Sequence, residues 1–311
     1  MKLSFVIPCY RSEQTIEAVV AELKGTMKRR DFDDYEIVMV SDHSPDGVYA
    51  KIENLCKSDS VHAKGVELAR NFGQHSALMA GYAIAEGDVV VSLDDDGQTP
   101  VNEVWSLVDK ITDGGYDVVY ASYKEKKHSF GRNLGSKVND WMTCWLLDKP
   151  RKLKVTSYFA AKRFVIDEVL RYQHAFPYVI GLVLRATRNV CNVPVTHRDR
   201  SIGASGYSLA KLIGLWLNGF TAFSVKPLRL ASFVGALCTV IGFGLGLWAV
   251  ANKLFINPHA PLGYSSLMAA VLFTGGVLML ILSMIGEYIG RIYICINRSP
   301  QYVISKKTKN V

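Results

Sequence analysis

The chain has 311 residues, 49% of them apolar, enough for one large domain or two smaller ones with a buried core. Its formal charge of +8 is unevenly spread: residues 1–122 carry 11 Lys/Arg against 21 Asp/Glu (−10), and residues 123–311 carry 25 against 7 (+18). The basic half adjoins very apolar segments, which favours an anionic membrane surface over nucleic acid, and six cysteines without C-x-x-C spacing or His pairing argue against a zinc site or a disulfide frame.

The chain begins at once with a predicted strand over 3–8 (LSFVIP), so no cleaved signal peptide is expected. A helix over 12–27 and a strand over 35–41 follow, the strand ending in Asp42, His43, Ser44, Pro45, Asp46 and Gly47. Next come a helix to about 56, a weaker strand over 63–68 and a helix over 73–85. Residues 89–93 (VVVSL) read as a short strand buried on both faces. This strand ends in three carboxylates, Asp94, Asp95 and Asp96, then Gly97, Gln98 and Pro100. Pro100 suits the first turn of a helix over 101–112, which puts the acids on a tight strand-to-helix loop. Open α/β sheets bind ligands just there, beyond the carboxyl ends of strands. Carboxylates packed so closely repel one another unless a cation lies between them. Oxygen-only ligands point to Mg²⁺ or Mn²⁺, which also holds substrate phosphates. The competing reading is a solvated acidic turn. One more strand, over 117–121, completes an alternation that implies βαβ units and a mostly parallel, Rossmann-like α/β sheet with helices on both faces. The G-x-G-x-x-G fingerprint after the first strand and the P-loop are both absent.

Residues 124–163 hold 11 basic and 3 acidic side chains. Within them a helix over 129–147 aligns Phe130, Leu134, Val138, Trp141 and Trp145, and reads equally as a core or an interfacial helix. Residues 209–223 are the better interfacial candidate. An uncharged run over 230–252, flanked by Lys226, Arg229 and Lys253, is long enough to cross a hydrocarbon core of about 30 Å. A second uncharged run, 254–286, is broken early by Pro258, Pro261 and Gly263, leaving a span over 265–286. Gly242, Gly244 and Gly246 inside the first span read as a helix-packing face. The tail carries Arg291, Arg298, Lys306, Lys307 and Lys309 with no acid beyond Glu287, so the positive-inside rule places it, and the N-terminal domain, in the cytosol. The expected division is a domain over 1–208, an interfacial helix over 209–226, a transmembrane hairpin over 227–290 and a basic tail over 291–311.

Pro8-Cys9-Tyr10, Asp42-His43-Ser44-Pro45-Asp46 and the D-x-D of Asp94 to Asp96 resemble the motifs of nucleotide-sugar-binding GT-A glycosyltransferases. D-x-D-x-Q-x-P, from Asp94 to Pro100, is similar to the polyprenyl-phosphate glycosyltransferases, which include dolichol-phosphate mannose synthase and bacterial undecaprenyl-phosphate glucosyl and formamido-arabinose transferases. The match extends through Arg70-Asn-Phe-Gly-Gln-His to Gly81, Ser129-Phe-Gly-Arg132 with Ser136-Lys137, and Arg200-x-x-Gly203-x-Ser205-x-Tyr207-Ser208. Pro227-Leu-Arg229 and the run from Gly286 to Tyr293 resemble the bacterial two-span members. His43, Gly97, Ser12, Phe159 and Gly206 depart from the family pattern, and no Q-x-x-R-W of processive synthases is present.

The resemblance implies an enzyme of the inner membrane of bacteria that transfers a monosaccharide from a nucleotide sugar to polyprenyl phosphate, with homo-oligomers, a tetramer by family habit, among lipid. It implies donor contacts at Pro8, Tyr10, Glu13, Asp42, Arg70, Gln74 and Asp94. Asp42 would bond the base or ribose, or else cap an Asx turn. Asp94 and Asp96, either or both, would reach metal and ribose; Gln98 would add a metal ligand or a helix N-terminal contact. Asp95 faces away. Arg132, Lys137 and Arg200, with Ser205 and Tyr207, would clamp the acceptor phosphate, or the basic residues simply face lipid headgroups. A phosphate monoester is mostly dianionic near pH 7, with a second pKa of about 6, so its oxygen can attack without a side-chain base. Cation and clamps would stabilise the departing diphosphate, and in-line attack would invert the anomeric centre. The rivals are transfer to another lipid-linked acceptor and a non-enzymatic scaffold with a degenerate domain, for which His43 and Gly97 are the only support.

Overall fold

Three apolar runs, β1 (Leu3–Cys9), β2 (Tyr35–Ser41) and β4 (Val89–Ser92), are buried along their whole length. Strands covered on both faces need no polar alternation, which is why these read as continuous apolar stretches. The computed structural model describes residues 1–123, 144, 149–196, 226–251, 255, 263–297, 299–309 and 311. The chain forms two units, Met1–Ser208 with Arg298–Val311, and Leu209–Asn297.

In the first unit, β3 (Ala63–Leu68), β5 (Val118–Tyr123), β6 (Phe159–Lys162), β7 (Val190–Val195) and β8 (Ile304–Lys307) complete an eight-stranded sheet of order β7-β5-β6-β4-β1-β2-β3-β8. The central strands β4, β1, β2 and β3 run parallel. β6 is antiparallel to both its neighbours, and β8 is antiparallel to β3. On one face, α1 (Ile16–Arg29), α2 (Val48–Ser58) and α4 (Val104–Thr112) bury Ile16, Leu23, Ile52, Leu107 and Ile111 against Phe5, Ile7, Ile37, Met39 and Val91. The other face meets α3 (Gln74–Ile84) through Val6 and Val40, the residues that alternate with those just named. A Cβ on Gly81 would sit 2.3 Å from Val6 Cγ1, so the helix approaches this closely only because residue 81 is glycine. α5 (Arg163–Leu170) and α6 (Val179–Ala186) pack on the α3 side.

The helix expected over 101–112 opens with a 3-10 turn, Val101–Glu103, and the strand expected to end at 121 runs to Tyr123. Sequence reasoning missed β6, α5, α6, β7 and β8. β8 lies in what reads as a basic tail: Lys306 pairs with Glu67 (2.7 Å), the Ala69 N–H donates to Val303 O (2.8 Å), and the Gly65 N–H donates to Thr308 Oγ1 (3.0 Å).

The second unit contains α7 (Lys226–Ala251) and α8 (Tyr264–Ile296), which meet at Gly235 and Ile281. Phe273–Ile296 is long and apolar enough to cross a membrane, with mean hydropathy 1.6. It ends later than the expected span over 265–286, because α8 continues unbroken past Glu287 and Arg291. Large apolar side chains on both helices are exposed, among them Phe233, Phe243 and Trp248 on α7 and Phe273, Met279 and Leu282 on α8. The helices expected over 129–147 and 209–223 lie outside the described residues, apart from helical Cys144.

Candidate active site

β1, β2 and β4 end side by side, and the loops that follow them converge beyond their carboxyl ends. The loops after β1 and β2 are stitched together: the Arg11 N–H donates to Ser44 Oγ (2.7 Å), the Glu13 N–H to Asp46 Oδ2 (3.0 Å), and the Gly47 N–H to Glu13 Oε2 (3.0 Å). Glu13 thus caps the start of α2, where a carboxylate is favoured by the free N–H groups and the helix dipole. The turn places His43 at φ 49° and Arg11 at φ 58°. Glycine is the family's usual residue at position 43, and histidine is among the side chains that tolerate this left-handed region. Gly97 likewise has φ 74°. Both departures from the family pattern are therefore compatible with the backbone these turns adopt.

Asp42 is 3% exposed, and its two oxygens accept the N–H groups of Phe72 (2.7 Å) and Gly73 (2.8 Å). Burial raises its pKa even so, against the pull of those two amides. In this structure Asp42 holds the Arg70–Gly73 loop that leads into α3. The next residue, Gln74, reaches across to donate from Nε2 to Asp94 Oδ1 (3.0 Å). Asp94 Oδ2 accepts from the Ser157 hydroxyl, just before β6. Asp94 is thereby fixed from two sides. Burial first, and the charge of Asp96 next, raise its pKa, while the Ser157 and Gln74 bonds favour the anion.

Asp95 turns the other way. Its Oδ2 accepts from the Tyr10 N–H (2.9 Å), its backbone oxygen accepts from Thr15 Oγ1 (2.6 Å), and burial, with the Asp94 charge adding, pushes its carboxyl up to about 6. Asp96 Oδ1 accepts from the Gln98 N–H (3.0 Å), closing the loop. Tyr123, at the carboxyl end of β5, lies close enough that burial and then the Asp94 charge push its phenol up to about 12. Tyr10 is 44% exposed with the Arg11 guanidinium over its ring, and the Arg70 guanidinium lies over Phe72. Pro8 is buried within β1, beside Val40 of β2. Phe159, 1% exposed, belongs to the sheet core beside Tyr120.

The structure so brings together Tyr10, Glu13, Asp42, Gln74, Asp94 and Asp96 at one end of the sheet. Ser157 and Tyr123 were missed, since neither sits in a recognisable motif; the rule that ligands meet strand ends was the one signal for Tyr123. Arg132, Lys137, Arg200, Ser205 and Tyr207 lie outside the described residues. Among the described residues no three His, Cys, Asp or Glu side chains cluster to hold a metal. Two crowded carboxylates beside a glutamine still fit a hard cation that draws its remaining oxygens from phosphate and water.

Residues 4–169, more than half the chain, match the model of glycosyl transferase family 2. The chain belongs to this family. Residues 226–292 of this family-2 glycosyltransferase match a second model, the GtrB C-terminal hairpin, over α7 and α8. It is 32% identical over 306 residues to the undecaprenyl-phosphate 4-deoxy-4-formamido-L-arabinose transferase of Proteus mirabilis (strain HI4320), covering 98% of this chain and 93% of the relative. The transferase of the same name from Klebsiella pneumoniae (strain 342) is 31% identical over 309 residues, with the same coverage. Among solved structures, glucosyl-3-phosphoglycerate synthase from Mycobacterium tuberculosis in complex with Mn²⁺ and UDP-glucose shares the fold. It has TM-score 0.52 and 19% identity, and the match covers 70% of this chain and 79% of that one.

Proposed function

We propose that this glycosyltransferase moves a monosaccharide, with inversion, from a nucleotide sugar to polyprenyl phosphate, undecaprenyl phosphate in a bacterial cell, at the cytosolic face of the inner membrane. The observation that carries the reading is the near full-length likeness to undecaprenyl-phosphate sugar transferases, spanning both the family-2 domain and the hairpin.

The donor would lie across the ends of β1, β2 and β4, against Tyr10 and the Asp42-braced loop. Asp94 and Asp96, with Gln98, would hold Mg²⁺ or Mn²⁺, the ion found with the structural neighbour. Such a cation, when bound, neutralises charge on the departing nucleoside diphosphate. Gln74 and Ser157 keep Asp94 in one orientation before donor arrives, so little reorganisation is left to the reaction. Arg132, Lys137 and Arg200 would supply the cationic side of the acceptor site, with Ser205 and Tyr207. The exposed apolar surfaces of α7 and α8 suit a lipid environment, as two spans.

The test is full-length protein in vesicles containing undecaprenyl phosphate, supplied with Mn²⁺ and a panel of nucleotide sugars, with lipid products read by mass. A sugar-phosphate-lipid product is expected, lost in Asp96→Asn and in excess chelator while the protein stays folded. No product from any donor, or undiminished turnover in chelator, overturns the reading.

A further inference from the structure

α5 starts at the amino end of β4, where the Arg163 N–H donates to Asp88 O (2.8 Å) and its guanidinium to Ala85 O. It runs from there towards the opposite end of the sheet. The loop 171–178 between α5 and α6 accordingly emerges on the side of the acid loop, and Tyr178 meets His75 at the start of α3, ring centroids 5.1 Å apart. Within this loop Ala175 and Pro177 are buried, yet Phe176 between them is 60% exposed with φ 59°. For a bulky side chain that backbone conformation is a true outlier, and such outliers persist where the surroundings force them and gather at functional positions. The buried neighbours on either side turn the ring outwards.

The carbonyls of Tyr172 and His174 both accept from Gln301 Nε2 (3.2 and 3.1 Å). Gln301 follows Ile296, the last residue of α8, by five positions. For any placement of the two units, therefore, no more than about 18 Å of extended chain separates Gln301 from that helix end. The last turns of α8 are themselves apolar and exposed at Ile292, Tyr293 and Ile296. Arg171, at the start of the loop, is 78% exposed and pairs with Glu168 (2.9 Å), so the loop is held to the end of α5 and carries no net charge there.

We propose that loop 171–178 is an interfacial anchor in which Phe176 inserts among the lipid headgroups of the bilayer, seating the donor end of the sheet on the membrane. The occupant is the lipid surface, and the inference rests on the membrane part of the function proposed above. Aromatic rings are favoured at this depth because one side meets acyl chains and the other water.

Full-length protein in vesicles tests it, using lipids brominated near the carbonyl end of their acyl chains to quench tryptophan. Phe176→Trp should add a quenched component to the wild-type emission; Val61→Trp, at a 79% exposed site beside the amino end of β3, should add an unquenched one. Phe176→Ser should raise the KM for bilayer-embedded polyprenyl phosphate about fivefold, as expected for losing part of one Phe burial, with the donor KM unchanged. Equal quenching of the two added tryptophans overturns the anchor, as does an equal rise in both KM values, which would mark a merely structural residue. Native Trp248 on α7 separates the two readings. Should wild-type emission resist quenching altogether, the membrane assignment itself fails; should it be quenched while Phe176→Trp adds nothing quenched, only the anchor fails.

Discussion

Asp42→Asn separates two roles for a carboxylate that sequence motifs place in the donor site and the structure places under a loop. Both oxygens of Asp42 accept backbone N–H groups, from Phe72 and Gly73. A hydrogen bond to a buried charged group contributes roughly 1.5–3 kcal/mol. Asparagine keeps one acceptor and turns its NH₂ against the other amide, so one bond is lost and two donors oppose each other. The substitution also removes a charge that burial disfavours, as the raised pKa of Asp42 shows. The net loss of stability is about 1–3 kcal/mol. Nucleotide affinity should fall by no more than about tenfold, or 1.4 kcal/mol, because the loosened loop leads into Gln74 and so to Asp94. Thermal unfolding in detergent and calorimetry with a nucleoside diphosphate and Mn²⁺ read the two quantities. Unchanged stability with affinity lost beyond measurement would refute the bracing role and make Asp42 a direct donor contact.

Glu36 is ion-paired with Lys64 (2.9 Å) and Lys2 (3.2 Å); burial pushes its pKa up, but bonds from Ser4, the Glu86 N–H and Lys64 outweigh this and lower it from 4.5 to about 2. Its ionised form contributes about 3 kcal/mol of stability above pH 4.5 that is lost as pH falls through 2, so Glu36→Gln should flatten the acid limb of the unfolding curve there; parallel limbs would count against the network. Gly81→Val should destabilise the first unit by about 1–3 kcal/mol, because even its Cβ would overlap Val6; an unchanged melting midpoint would contradict the α3 packing. Truncation before Val303 removes β8 and bares the edge of β3, so self-association should rise in size-exclusion; a truncated protein as monodisperse as the full chain would argue that the strand is dispensable.

The strands legible in the sequence are those whose burial is total: β1, β2 and β4 are apolar at nearly every position. β8 reads Ile-Ser-Lys-Lys, with one partly buried residue and three exposed ones. Its place in the sheet comes from backbone pairing and from Lys306 on Glu67, neither of which leaves an apolar pattern. β6 is four residues long and hidden after a basic stretch, so its register opposite β4, which carries Ser157 towards Asp94, has no local signature. In the site, the position of the triple acid on the loop after β4 was readable from strand context. The division of labour within it was only half readable. That Asp95 faces away could be expected from alternation, but that it ties the Tyr10 N–H and Thr15 depends on where α1 begins. Glu13 and Asp42 carry a motif identity that says nothing of the backbone amides they accept. His43 and Gly97 show the converse, where a departure from pattern is explained once φ is known.

β8 also bears on membrane topology. The chain leaves the first unit after Ser208 and rejoins it at Arg298, and Ile304–Lys307 is hydrogen-bonded into the same sheet that contains β1. Both ends of the intervening segment are therefore on one side of any membrane it enters. The number of crossings between them must be even. This holds even if β8 paired with β3 of another copy, because every copy would carry its sheet on the same side. α8 contains a stretch long and apolar enough to cross, so a single crossing would strand the tail away from its partner strand. If α8 crosses, a compensating crossing would have to lie between 209 and 263, where α7, 26 residues long in all, carries no charge after Arg229. At about 1.5 Å per residue the uncharged part of α7 is roughly 33 Å long, sufficient for the hydrocarbon core. Parity thus favours the two spans expected from the uncharged runs, although among the described residues Phe273–Ile296 is the one stretch long and apolar enough to cross. Labelling a cysteine placed at Lys307 and one placed at Val61 from the two faces of sealed vesicles should give the same sidedness, and opposite sidedness would mean that β8 does not pair with β3 in the membrane-embedded protein.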